Sequence, residues 1–155
     1  SLEYDGQYLV IGGQPVHSAQ EARHEGEDDL ALIREAVNEF GTQCSAMVDG
    51  WRRRLTQIRK DGGTPVIWGA GAKGVAFLST LRIDDTVPSA VDVNPHKAGK
   101  FLPGTGHEVV GPDQLKALNP THVVVMNPIY ENEIRANLCA LGVDAEVLVV
   151  TDPGS

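Results

Sequence analysis

Cysteine is scarce in this chain of 155 residues: Cys44 and Cys139 stand alone and far apart. They provide neither a disulfide framework nor a paired-cysteine metal site. Histidine does not fill the gap, because His17, His24, His96, His107 and His122 lack the spacing of metal ligands. Long apolar runs are missing as well. Val-Val-Val-Met at 123–126 is typical of the longest, far short of the ~20 residues that span a bilayer, so no membrane partner is expected. The chain shows no basic stretch leading into an apolar segment and a small-residue cleavage site, so a reducing cytoplasm is the expected compartment. Basic residues number 13 against 21 acidic ones, a net charge of −8, which speaks against a nucleic-acid-binding surface. Neither a Gly-x-Ser-x-Gly elbow nor a cysteine beside a base is present, so nucleophilic catalysis has no visible candidate.

The acidity is uneven. Residues 1–29 hold seven acidic side chains against Arg23 alone, which accounts for six of the eight net negative charges. This leading segment reads as a linker, with a short strand at 7–11 and a polar loop at 12–27. The chain begins at Ser1 without Met, as an excised or processed piece would.

From Leu30 the pattern changes. Leu30, Ile33, Val37, Phe40, Cys44, Met47, Trp51, Leu55 and Ile58 follow one another at steps of three or four residues, a mean period of 3.5. That is the seam of a single long helix over 30–60, although Gly41 and Gly50 each weaken it by about 1 kcal/mol relative to Ala. Asp28 or Asp29 suits its start; Arg59, Lys60 and Gly62-Gly63 suit its end. At ~1.5 Å per residue it would be about 45 Å long, more than a domain of this size uses internally, so it reads as a connector. Two core helices broken at Gly41 are the alternative. Arg52, Arg53 and Arg54 read as a solvated face.

Residues 61–155 alternate strand and helix: strands at 65–68, 90–93, 122–126 and 146–150, helices at 72–81, 112–118 and 131–141. Val- and Ile-rich strands without polar alternation suit a sheet covered on both faces, and the βα order specifies an α/β, doubly wound parallel sheet preceded by the long helix.

Gly69-Ala70-Gly71-Ala72-Lys73-Gly74 matches G-x-G-x-x-G directly after a strand and at the opening of a helix. In such a Rossmann-like turn Gly69 permits the bend, Gly71 lets backbone approach a phosphate, and Gly74 lets helix and strand pack closely. Helix-start amides then favour an anion. Asp92, at the end of the second strand, lies 18 residues beyond Gly74, close to the ~20 of a ribose-binding acid. The glycines can equally serve the turn alone, with Asp92 bonding nearby backbone. Lys73 lies inside the loop; Asn94, His96, Lys97 and Lys100 follow the second strand; Asn127 and Tyr130 follow the third. All fall at the carboxyl edge, where open α/β sheets bind ligands. Asn127 also suits a turn cap and Tyr130 a packing role. Residues 101–106 are rich in turn formers and read as a rigid loop beside the site.

The segments 66–74, 91–105 and 126–134 resemble the C-terminal domain of S-adenosylmethionine-dependent C-methyltransferases acting on nucleotide-linked deoxysugars. The likeness covers about residues 30–150. It implies a substrate-side domain that helps form the sugar-nucleotide pocket, with Gly69, Gly71, Lys73, Gly74, Asp92, Asn94, His96, Lys97, Lys100, Asn127 and Tyr130 as its candidate residues. It further implies that S-adenosylmethionine and zinc belong to other domains of the parent, with no cofactor expected in this one. The glycine loop follows Trp68 rather than the acidic residue expected of a methionine-cofactor site. The expected partners are a nucleotide-linked sugar and the parent's catalytic methyltransferase domain, and the isolated chain is expected to be catalytically silent. A free-standing NAD(P)-type dinucleotide-binding module is the alternative function, and a fold kept only for packing is a third.

Overall fold

The computed structural model of the chain describes residues 2–3, 8–10, 12–15, 29–83 and 85–151. The chain divides into two compact units, Ser1–Val37 and Asn38–Ser155. In the first, β1 (Leu2–Glu3) pairs antiparallel with β2 (Tyr8–Leu9). The expected strand at 7–11 is thus present as a two-residue arm. The expected polar loop is irregular at 12–15, and its remainder, like Asp28, lies outside the described residues.

Helix α1 (Leu30–Lys60) is continuous, as the unbroken seam predicts, and it passes through both Gly41 and Gly50. Its end follows from two glycines. The Gly63 amide donates to the Ile58 carbonyl at 2.8 Å and the Gly62 amide to Arg59 at 3.1 Å, with Gly62 at φ +82°. This is a Schellman stop, in which the left-handed residue satisfies carbonyls that the helix leaves over. A Cβ at Gly62 meets open space, so Gly62→Ala isolates the conformational penalty. The expected loss is about 1–2 kcal/mol, read as a lowered urea midpoint at unchanged slope.

Beyond it come β3 (Pro65–Trp68), α2 (Ala72–Leu81), β4 (Ser89–Val91), β5 (Glu108–Val110), α3 (Leu115–Leu118), β6 (His122–Val125), α4 (Glu131–Leu141) and β7 (Glu146–Val149). The five strands β3–β7 form one parallel sheet in the order β5-β4-β3-β6-β7. This is the strand order of a Rossmann-like sheet, with its topological switch point between β3 and β6. Successive strand residues face opposite layers. Ile67, Ala90, Val109, Val124 and Leu148 join Leu55 and Ile58 of α1 and Leu78 and Leu81 of α2 in one core. Val66, Trp68, Val91, Val123 and Val125 join Leu115 of α3 and Ile134 and Leu138 of α4 in the other. Both faces are covered, which is why the strands carry no polar alternation.

One strand escapes the sequence pattern. β5 has three residues, and no helix is described between it and β4; residues 92–107 fill the connection with turns. The Val109 amide donates to Lys100 at 2.7 Å and the Leu102 amide to His107 at 2.8 Å, so this loop folds back antiparallel onto its own strand. The expected helix at 112–118 opens as a 3-10 turn, Pro112–Gln114, before α3. Among the described residues no helix is long and apolar enough to cross a membrane.

Candidate functional site

The carboxyl ends of β3 and β6 part at the switch point, and the crevice between them encloses about 430 Å³. That volume suits a small ligand. The glycine loop forms one wall, and its three glycines have three different reasons to be glycine. Gly69 sits at φ +124°, and a Cβ there would stand 3.1 Å from the Met126 Cβ. At Gly71 a Cβ would meet nothing within 4 Å, so this side of the turn is open. At Gly74 a Cβ would collide with the Gly69 carbonyl oxygen, so the helix packs directly on the turn. The turn at Gly69 and the close packing at Gly74 are the roles expected of those two positions in the fingerprint.

Helix α2 begins at Ala72 with no side-chain cap, which leaves the amides of its first turn without intrahelical acceptors beside the crevice. Lys73 lines the same wall and is exposed, and its ammonium has no hydrogen bond or ion pair with the described residues. It also borders a second, apolar cavity of about 390 Å³ lined by Met47, Trp51 and Phe77. Trp51 and Phe77 meet edge to face there, 5.5 Å between ring centres.

The opposite wall comes from β6 and α4. The Asn127 side chain lines the crevice and accepts weakly from the Ile129 amide at 3.4 Å, so the turn-capping role and the site position coexist. Tyr130 also lines it and is 52% exposed.

Of the expected site residues, Gly69, Gly71, Lys73, Asp92, Asn127 and Tyr130 line the crevice, with Gly74 packed behind them. Asn94, His96, Lys97 and Lys100 do not line it. The Asn94 side chain is a turn former, accepting the His96 amide at 3.0 Å, while Lys100 and His96 are exposed. Lys97 turns inward. Its ammonium donates to Asp92 Oδ2 at 2.7 Å and to the Ala70 carbonyl at 3.1 Å. Asp92 Oδ1 accepts the Asn94 amide at 2.9 Å. The loop at 101–106 belongs elsewhere: Leu102 is buried in the core, and a Cβ on Gly104 would lie 3.8 Å from Ser79 Oγ, away from the crevice lining. Its hairpin onto β5 carries it off.

Sequence reasoning missed Glu133, Ile134 and Asn137, which complete the α4 wall. The signal was available, since from Tyr130 they fall at i+3, i+4 and i+7, one helical face rising from the sheet edge. Among the described residues no group of three or more His, Cys, Asp or Glu is placed to hold a metal.

The family model described as "C-methyltransferase C-terminal domain" matches residues 10–151. No curated protein matches the sequence. A solved structure titled "Crystal structure of RSP in complex with beta-NADH" is similar at 18% identity, covering 78% of this chain and 68% of that one with a TM-score of 0.43.

Proposed function

The chain belongs to the C-methyltransferase C-terminal domain family, and on that premise we propose that it is the substrate-side domain of an S-adenosylmethionine-dependent sugar C-methyltransferase, contacting a nucleotide-linked sugar at the β3/β6 crevice. The observation that carries this reading is the pairing of an uncommitted cation, Lys73, with the open amides of α2 on one wall and an amide and a phenol, Asn127 and Tyr130, on the other. A diphosphate is a good acceptor for the first wall, because an ammonium and helix-start N–H groups stabilise negative charge together. Sugar hydroxyls and a carbonyl suit the second, where Asn127 offers both a donor and an acceptor and Tyr130 a hydroxyl.

The parent reaction, as the family implies, removes a proton beside a sugar carbonyl and transfers a methyl group to that carbon. This chain's part is to bind and orient. Its crevice does not fit the methyl donor: β3 ends in Trp68, which lines the crevice where a methionine-cofactor site would carry an acid. On this reading the methyl donor and the zinc belong to other domains of the parent, and the part of this chain is binding.

The test is an amide NMR titration of the labelled chain with a thymidine-diphosphate sugar, with S-adenosylmethionine and NADH run in parallel. Saturable shifts at Lys73, Asn127 and Tyr130 with the nucleotide-sugar are expected. Lys73→Ala should weaken that binding by about 10- to 100-fold, the worth of one charge-assisted contact of roughly 1.5–3 kcal/mol. Silence with the nucleotide-sugar, or unchanged affinity in the variant, sinks the proposal.

A further inference from the structure

Asp92 follows β4 at the place where a dinucleotide-binding sheet puts the carboxylate that takes the adenosine ribose. Here that carboxylate is already engaged through both oxygens, one to the Asn94 amide and the other to the Lys97 ammonium. The side chain of Asp92 is only 12% exposed. The same ammonium reaches the Ala70 carbonyl, in the glycine loop between Gly69 and Gly71. Lys97 therefore spans the interval between the end of the second strand and the phosphate-binding turn, which the adenosine ribose of a bound dinucleotide would have to cross.

The loop holds it there. The Lys97 amide donates to the Asn94 carbonyl at 3.0 Å, and two residues on the Gly99 amide donates to Val109 of β5 at 2.8 Å. The stem leaves a backbone tied at both ends, so what placing the ammonium costs is the side chain's own rotamer freedom. An ammonium and a ribose diol are both donors to this carboxylate, and with each oxygen already accepting one bond and the side chain only 12% exposed, they compete for the little access that is left. The ammonium has the advantage, because it adds the attraction of a full opposite charge at 2.7 Å to the hydrogen bond, which neutral hydroxyls do not.

We propose that Lys97 is a specificity-determining residue: an internal cation seated on Asp92 in place of ribose hydroxyls, which closes the diol subsite and makes the crevice reject NAD-type dinucleotides while the glycine loop and Lys73 stay open to an anion. Asp92 then acts as a positioning residue for Lys97. This inference goes beyond the nucleotide-sugar reading and stands whichever ligand the other half of the crevice takes.

It is tested by calorimetric titration of the full chain with NADH. Wild type is expected to give no saturable binding at millimolar NADH. Lys97→Met, which keeps the apolar stem and removes the donor, should bind at least tenfold more tightly than wild type. The double variant Lys97→Met/Asp92→Ala should lose the gain, because the diol then has no acceptor. If Lys97→Met fails to fold by circular dichroism, Lys97→Gln retains a donor for the Ala70 carbonyl without the charge, and is judged by the same criterion. Wild-type binding as tight as the variant's, a folded variant with no gain, or a gain that survives loss of Asp92 would each overturn the proposal. The nucleotide-sugar titration of wild type is scored separately, so failure there rejects the substrate reading and leaves this outcome intact.

Discussion

Gly74→Ala is expected to lower stability by about 3–5 kcal/mol, a fall of about 10–15 °C in the thermal midpoint. The sign makes the experiment decisive. Within a helix, replacing Gly by Ala normally gains about 1 kcal/mol, and Gly74 lies in α2. Propensity alone therefore forecasts stabilisation. Packing forecasts the reverse: the added Cβ would meet the Gly69 carbonyl oxygen at a separation real Cβ atoms do not adopt, with Ile67 Cδ1 at 3.2 Å on another side. Neither neighbour has room to retreat. Gly69 is fixed at φ +124° against Met126, and its amide donates to the Val91 carbonyl at 2.8 Å. Ile67 is wholly buried in the core. Gly71→Ala is the matched control, since a Cβ there enters open space; it should stay within about 1 kcal/mol of wild type, the ordinary cost at a helix start. Urea melts of the two variants check the difference, and equal midpoints would mean that the turn does not pack as described.

These two glycines also show what a sequence of this kind discloses. The turn role of Gly69 and the packing role of Gly74 were readable because each is set by local geometry between a strand and the helix that follows it. The long helix was readable from its seam, and the parallel sheet from Val- and Ile-rich runs that alternate between two buried layers. β5 was not, because Glu108–Val110 is short and its pairing with β4 depends on a loop of turns rather than on a periodic signal. Within the site, position at the carboxyl edge was legible for Lys73, Asn127 and Tyr130. The partnership of Asp92 was not. Lys97 lies five positions further on, and composition does not say whether such a lysine extends into solvent or folds back onto the carboxylate; that depends on the turn at 94–97 and on the Ala70 carbonyl in the glycine loop.

Leu55→Ala should cost about 3–4 kcal/mol, within the range for a fully enclosed leucine, and should lower the thermal midpoint by about 10 °C. Leu55 has no exposed surface and sits with Ile58 in the core that includes Ile67, Leu78 and Leu81. Phe40 belongs to the same seam by sequence spacing, yet it is 65% exposed. Phe40→Ala is accordingly expected to change stability by no more than about 0.5 kcal/mol, although it removes the larger side chain. The contrast separates two explanations of one periodic pattern. A helix that buried its whole seam within this chain would lose more from the phenylalanine, because a buried Phe→Ala typically costs about 3–5 kcal/mol. A helix anchored only through its last turns loses stability from Leu55 and nearly none from Phe40. Between them, Val48 and Trp51 are partly buried against the core, so truncations there should give intermediate losses. A graded series from Phe40 to Leu55 in thermal melts would establish that the carboxyl-terminal part of α1 is the part that holds the sheet; equal losses at both ends would refute it.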